Sequence, residues 1–259
     1  MLSIERQREI EELLLEKKSI SVAELSERFD VSFETIRRDL KVLEAKGIVE
    51  KSYGGAVLKE KVSHKADFKT LSHVMVDTKK KMAETAISFI RPGDCIYIDF
   101  STTCNQIVPL LEDISINILT NSLEVMNQLA GRKNISLFST GGIFDPGNYA
   151  FMGNTSIQNL EQFHLDKAFI SCRALSMERG ISDKSEQEAE LRKKIIESSN
   201  KVYLMVDHTK FNKVAFVRTC DMKAITAVIT DMHPGQAWEA YFKKNNIGLY
   251  ISGSVGDKK

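Results

Sequence analysis

Arg37 and Arg38 stand side by side in the run Val31-Ser32-Phe33-Glu34-Thr35-Ile36-Arg37-Arg38-Asp39-Leu40-Lys41. Guanidinium groups can clasp phosphate oxygens or the edge of a guanine through two parallel hydrogen bonds, which is chemistry suited to reading double-stranded DNA. Ser32 is placed to accept a bond from a free backbone N–H of a first helical turn, so a helix is expected to start there. Ile36, Leu40 and Leu43 then share one face, and Phe33, Thr35, Arg37, Arg38 and Lys41 look outward. The plainer reading of such a helix is a solvated surface. Bulk charge does not separate the two, because the first sixty-odd residues carry acidic and basic side chains in nearly equal number.

The neighbouring elements do separate them. Ser21 to Phe29 predicts a short capped helix with Val22, Leu25 and Phe29 on its apolar side. Asp30-Val31-Ser32 leaves room only for a tight turn, so the two helices form a helix-turn-helix with the second in the reading position. Ile10, Leu13 and Leu14 supply a third helix to close the core. Gly47 is expected to cap the reading helix, and Ile48 to Val57 alternates around Gly54-Gly55, which predicts a β-hairpin wing. From it Lys51 and Tyr53 can reach phosphates or the minor groove.

Arg6-Gln7-Arg8-Glu9-Ile10, Val22-Ala23-Glu24-Leu25-Ser26, Thr35-Ile36-Arg37-Arg38-Asp39-Leu40, Leu43-Glu44, Gly47 and Gly54-Gly55-Ala56 together resemble the amino-terminal signature of the DeoR family of bacterial sugar-catabolism repressors. Lys51 and Tyr53 depart from it, since the family usually has arginine and histidine before the paired glycines.

A second set of polar residues is suited to holding an anion. Asp99-Phe100-Ser101-Thr102-Thr103, Thr120-Asn121-Ser122 and Thr140-Gly141-Gly142 each follow a predicted strand, and the first two lead into a predicted helix. Hydroxyls and free helix-start N–H groups gathered there suit phosphate, and the glycines let a ligand approach the backbone. Any one cluster is read more simply as a helix cap. Convergence is the argument: adjacent strand ends of a parallel sheet lie within about 5 to 10 Å of one another. Lys210, past a strand ending near Asp207, can add positive charge.

The elements that would position these residues alternate. A helix runs through Met82, Ala83, Ala86, Ile87 and Ile90, then a strand from Cys95 to Phe100. There follow helix 104–111, strand 116–120, helix 123–130, strands 135–139 and 168–172, helix 186–199, strands 202–206 and 224–229, helix 236–245 and strand 248–251. That pattern predicts an α/β fold with a mostly parallel sheet, whose ligands bind beyond the strand carboxyl ends. Residues 58–74 are lysine-rich and patternless and read as a linker. The organisation is therefore a winged helix-turn-helix over 1–57, a linker over 58–74, and an α/β sensor over 75–259.

This larger part also resembles the family's effector-sensing domain. Asp99 with Thr102-Thr103, Thr120-Asn121-Ser122, Gly141-Gly142, Gly153, Asp166-Lys167-Ala168-Phe169, Glu188-Ala189, Asp207 with Lys210-Phe211, and Thr230-Asp231 stand where the family pattern has them. The resemblance implies a fold similar to ribose-5-phosphate isomerase and a phosphorylated sugar as effector. Three positions depart: Ser101 replaces a usual glycine, Arg192 a usual lysine, and Ser171-Cys172-Arg173 a usually glycine-rich segment. The effector-binding set expected is Asp99, Ser101, Thr102, Thr103, Thr120, Asn121, Ser122, Gly141, Gly142, Arg192 and Lys210. The DNA-contacting set is Ser32, Phe33, Thr35, Arg37, Arg38, Lys41, Lys51 and Tyr53.

Composition bounds the rest. The chain has 259 residues and 42% hydrophobic content, enough for one mid-sized and one small domain. No run of roughly 18 apolar residues occurs and the amino terminus is charged, so neither a membrane span nor a secretory signal is expected, which points to the cytoplasm. Cys95, Cys104, Cys172 and Cys220 are scattered, so reduced thiols are expected, with no metal and no cofactor. Two other classes of function fit parts of the pattern. An isomerase-like enzyme would need a carboxylate base beside a phosphate site, and the glycine-rich segment with acidic neighbours that would carry it is missing. A winged helix that docks protein is favoured by the near-neutral charge and opposed by Arg37-Arg38. The expectation is a non-enzymatic transcriptional repressor with operator DNA, a phosphorylated sugar and at least one further copy of itself as partners.

Overall fold

The computed structural model describes residues 2–17, 19–45, 48–58, 68–111 and 114–253. Gly47 and residues 59–67 of the expected linker lie outside them. The chain divides into two compact units, Met1–Met75 and Val76–Lys259.

The first unit opens with α1 (Ser3–Lys17), β1 (Ser19–Ser21), α2 (Val22–Phe29) and α3 (Phe33–Ala45). Ser21 Oγ accepts from the Glu24 N–H at 3.1 Å and starts α2. Asp30 ends it in the left-handed region, φ 49°, where its N–H reaches back to the Glu27 and Ser26 carbonyls. Ser32 then caps α3 by accepting from the Thr35 N–H at 3.2 Å. Ile10, Leu13, Leu14, Leu25, Ile36, Leu40 and Leu43 close the expected three-helix core. Each such side chain contributes about 1.5–3 kcal/mol when fully buried.

The wing is the antiparallel pair β2 (Val49–Ser52) and β3 (Gly55–Leu58), joined through Tyr53-Gly54. A third strand was not legible in the sequence: β1 pairs antiparallel with β3, with Ile20 opposite Ala56. That pairing requires Gly55, because a Cβ there would collide with the Ile20 carbonyl oxygen. The stretch read as patternless contains α4 (Phe68–Ser72), and Leu71, Val74 and Met75 pack against the three-helix core. Single apolar residues among lysines give too short a period to reveal this helix.

The second unit begins with α5 (Val76–Ile87) and β4 (Cys95–Ile98). It continues through β5 (Ile116–Thr120), α6 (Leu123–Leu129), β6 (Ile135–Ser139), β7 (Ile143–Asp145), β8 (Ala150–Met152), α7 (Asn154–Leu160) and β9 (Leu165–Ile170). After these come β10 (Ala174–Ser176), β11 (Gly180–Asp183), α8 (Glu186–Glu197) and β12 (Ser199–Met205). The last elements are β13 (Val217–Cys220), β14 (Ala227–Thr230), α9 (Gln236–Lys244) and β15 (Gly248–Ile251).

Seven of these strands form one sheet in the order β15-β14-β12-β9-β4-β5-β6, with every pairing parallel. Helices cover both faces, as an all-parallel sheet demands. Met82, Ala86 and Val125 from α5 and α6 pack on one side, and Leu160, Leu191, Trp238 and Phe242 from α7, α8 and α9 on the other. The chain lays β5 and β6 to one side of β4 and then crosses to place β9, β12, β14 and β15 on the other. The β4–β9 gap is therefore a topological switch point, where strand carboxyl ends part and leave a crevice.

Several expected elements shift. Residues expected as an α-helix after Thr103 form a 3-10 helix, Cys104–Leu110, which contains Pro109, a residue with no N–H to donate. Strand 168–172 begins earlier, at Leu165, and ends at Ile170; strand 202–206 begins at Ser199. The strand expected from Ala224 starts at Ala227, after a 3-10 turn Met222–Ala224. The β7–β8 hairpin, α7 and the antiparallel sheet β10-β11-β13 were not anticipated.

Candidate functional site

α3 has two unlike faces. Ile36, Asp39, Leu40 and Leu43 are buried, whereas Phe33, Arg37, Arg38 and Lys41 are exposed, Phe33 at 51%. Asp39 is held by three donors from α1: Arg6 Nε at 2.6 Å, Gln7 Nε2 at 2.8 Å and Ser3 Oγ at 2.9 Å. Burial alone would raise its pKa, but the bonds from Gln7, Arg6 and Ser3 prevail and hold the carboxyl below its ordinary value. The clamp fixes how α3 is rotated about its axis, and so which side chains face out. Of the outward set, Arg37 lies 3.7 Å from Glu34 in an exposed pair that binds weakly, leaving it available. Thr35 is half-buried and shares a hydrogen bond with the Ser32 hydroxyl at 3.0 Å. On the wing, Tyr53 is fully exposed, while Lys51 Nζ pairs with Glu44 of α3 at 2.7 Å.

In the second unit the predicted strand-end clusters divide into two kinds. Thr120, Asn121 and Ser122, after β5, are wholly buried. Thr120 Oγ1 donates to the Ile98 carbonyl at 2.7 Å and accepts from the Ser122 N–H at 3.0 Å. Asn121 accepts from Tyr97 Oη at 2.7 Å and donates to the Phe151 carbonyl at 3.0 Å, and Ser122 caps α6. After β6, the Gly141 carbonyl accepts from the Ser156 hydroxyl, and a Cβ on Gly142, φ 116°, would strike that same hydroxyl. These groups serve as caps and struts within the fold.

Asp99, at the end of β4, accepts from the Ser171 N–H across the switch point at 3.0 Å and from Arg192 Nη2 at 3.1 Å. Arg192 is 3% exposed, lies 2.5 Å from Asp183 through Nη1, and sits 5.1 Å over the Phe100 ring. Asp183 also accepts from Thr219 Oγ1 at 2.6 Å. This buried carboxylate–guanidinium–carboxylate triad ties β4, β11, β13 and α8 together. Burial pushes the Asp99 pKa up, against the pull of Arg192 and the Ser171 N–H. Arg192 Nε has no hydrogen-bond partner among the described residues.

A charged cluster adjoins this triad. Lys79 of α5, only 5% exposed, donates to Thr102 Oγ1 at 3.0 Å. Burial and the nearby Lys210 push its ammonium down to about 7, with Asp207 pulling the other way. Lys210 lies 3.8 Å from Asp207. Burial works against the Asp207 carboxylate, yet Lys210, the Thr209 hydrogen bonds and Lys79 keep its carboxyl below the usual range. Ser101 accepts from the Cys104 N–H at 3.1 Å, and Thr103 is buried beside it without capping the 3-10 helix through its side chain. Two lysines near one carboxylate and a hydroxyl make this cluster a candidate site for an anion. Lys79, Asp183 and the orphan donor Asn105 Nδ2, 4% exposed, were all missed in the sequence. A signal for Lys79 existed: it lies three, four and seven residues before the buried Met82, Ala83 and Ala86, on the inward face of α5.

The four cysteines are free thiols. No group of three metal-ligating side chains occurs among the described residues, and none of their helices is long and apolar enough to cross a membrane.

A DeoR-like helix-turn-helix domain matches residues 6–62, and a DeoR C terminal sensor domain matches residues 74–232. The chain belongs to the DeoR family of DNA-binding transcriptional regulators. It is 36% identical to the HTH-type transcriptional regulator YulB of Bacillus subtilis over 89% of this chain and 90% of that protein. It is 30% identical to the L-fucose operon activator of Haemophilus influenzae over 88% and 91%, and 30% identical to the putative aga operon transcriptional repressor of Escherichia coli O157:H7 over 88% and 86%. Among solved structures, ribose 5-phosphate isomerase A of Methanocaldococcus jannaschii is similar over 52% of this chain and 54% of that one, at 16% identity and a TM-score of 0.39. That likeness carries no argument about activity. For this DeoR-family chain, the reading helix and the strand-end cluster lie within the two matched segments.

Proposed function

We propose that this DeoR-family protein represses a sugar or polyol catabolic operon from the cytoplasm, and that a phosphorylated sugar bound at the β4–β9 switch point relieves the repression. The observation that carries the effector reading is the buried Lys79–Thr102 contact facing Lys210 and Asp207. Phosphate would add negative charge to a cluster in which two lysines stand near one carboxylate, Asp207. Thr102, Ser101 and Thr103 line the same loop, and Asp99 with Arg192 sets its shape. Thr120, Asn121, Ser122, Gly141 and Gly142 support the rim from inside. The names of the fucose and aga operon regulators favour sugar metabolism and include both signs of control, so the sign is part of the proposal.

DNA reading rests on Arg37 and Arg38, with Phe33, Thr35, Lys41, Ser32 and Tyr53 completing the surface and Lys51 contributing once released from Glu44. One helix reads a half-site only, so the active species contains at least two copies. The test is footprinting on the chain's own upstream region, with and without sugar phosphates. Wild type is expected to protect a site that a single effector frees, and the Arg37→Ala/Arg38→Ala variant to lose protection at least 100-fold with unchanged circular dichroism. Protection by that variant equal to wild type would remove α3 from the reading role, and protection strengthened by the effector would reverse the sign.

A further inference from the structure

Arg173 follows β9 at the switch point, near the other cations of the site. It makes no side-chain hydrogen bond and no ion pair among the described residues, although it is half-buried. Burial pushes its guanidinium below its ordinary pKa, against the pull of Glu188, Asp183 and Asp207. Each of those carboxylates is already engaged: Glu188 by Lys184 and Asn148, Asp183 by Arg192 and Thr219, and Asp207 by Lys210 and Thr209. A guanidinium has five donors in a planar fork matched to carboxylate or phosphate, and partial burial without a partner costs free energy that an anion would recover.

Arg173 is also mechanically joined to the phosphate-binding arrangement. Two residues later Leu175 bridges Phe211, and its carbonyl accepts from the Lys213 N–H at 3.2 Å. The Lys210–Lys213 loop is fixed in turn by Trp238 Nε1, which donates to Asn212 Oδ1 at 2.9 Å. Lys213 feels both Lys210 and Arg173. Positive charge therefore lies at three neighbouring strand ends, with Lys79 beside β4, Arg173 after β9 and Lys210 after β12. Parallel strands lie about 4.8 Å apart, so the three strand ends span roughly 10 Å, wider than a single phosphate needs.

We propose that the effector carries two acidic groups: a phosphate held by Lys79, Thr102 and Lys210, and a second carboxylate or phosphate clasped by Arg173. This rests on the effector site proposed above and narrows its ligand to phosphorylated sugar acids or sugar bisphosphates.

Calorimetry with matched pairs tests it: glucose 6-phosphate against 6-phosphogluconate, and fructose 6-phosphate against fructose 1,6-bisphosphate, on wild type, Arg173→Ala, Arg173→Lys and Lys79→Ala. The doubly acidic member of at least one pair is expected to bind wild type about tenfold or more tighter than its partner, the gain of one charge-assisted contact. Arg173→Ala should abolish that preference while changing monophosphate affinity less than about twofold, and Arg173→Lys should keep part of it. Which pair responds tells a carboxylate from a second phosphate. Monophosphate binding that depends on Lys79 but gains nothing from the second acid would overturn this inference and leave the effector site standing. Equal losses for both members of a pair in Arg173→Ala would make that residue structural and overturn it too. If no member binds, or if Lys79→Ala binds as wild type does, both readings fall.

Discussion

At the carboxyl ends of β5 and β6, Thr120, Asn121, Ser122 and the Gly141 carbonyl turn their polar atoms into the fold; at those of β4, β9 and β12, Lys79, Lys210 and Arg173 gather around Asp207. Both stretches of the rim carry hydroxyls after apolar strands, with an amide and glycines in the first and aspartates and cations in the second. The difference comes from the topology. Strands β4, β5 and β6 run consecutively and their loops pack on one another, so polar groups find partners in the next loop. At β4–β9 the chain reverses its direction of travel across the sheet, the loops diverge, and charge collects in the space between. Inward-turned polar residues should therefore govern stability, and the charged rim should govern ligand affinity.

The same division exists in the reading domain, where it gives the largest effect. Asp39→Ala leaves the buried Arg6 without its carboxylate and is expected to cost roughly 3 kcal/mol in urea unfolding. Because the folded pKa of Asp39 is lower than its unfolded one, the clamp stabilises fully at neutral pH and is lost as pH falls through that depressed value. Asp39→Asn should remove that part of the acid sensitivity. Next in size, Lys79→Ala and Lys210→Ala are each expected to weaken phosphosugar binding about 10- to 100-fold in calorimetry, with melting temperature nearly unchanged. Thr120→Val should do the reverse, costing about 1–3 kcal/mol of stability through two lost hydrogen bonds while ligand affinity moves less than about threefold. A large affinity loss in Thr120→Val with intact stability would erase the contrast. The smallest effect concerns protons. With Lys79 near 7, phosphate binding at pH 8 should draw a proton onto its neutral amine, so binding heats depend on the buffer and affinity falls as pH rises above about 7. Lys79→Ala should lose that proton uptake.

The sequence conveyed the reading domain well because its signals are local: Ser21 and Ser32 cap helices that are adjacent in the chain, and the turn between them is three residues long. Strands β5, β6 and β15 were placed to the residue, since each is a short run rich in apolar residues with sharp ends. Strands of three residues, such as β1, β7 and β10, have no period to detect and exist only through partners elsewhere in the chain. The site was legible in part. Lys210 and the Ser101–Thr103 loop belonged to strand-end motifs, whereas Lys79 was hidden within Lys79-Lys80-Lys81, where only helical phase separates a buried lysine from two exposed ones. Whether Thr120 faces a ligand or the Ile98 carbonyl is decided by the neighbouring strand, which composition cannot convey.

On α3 every residue that keeps the domain folded lies on one side, and the side chains that would touch bases lie on the other. Exchanging Phe33, Arg37, Arg38 or Lys41 is therefore expected to alter what is recognised at little risk to the scaffold. A lineage built on this head can change its target genes one substitution at a time, each intermediate remaining a viable protein.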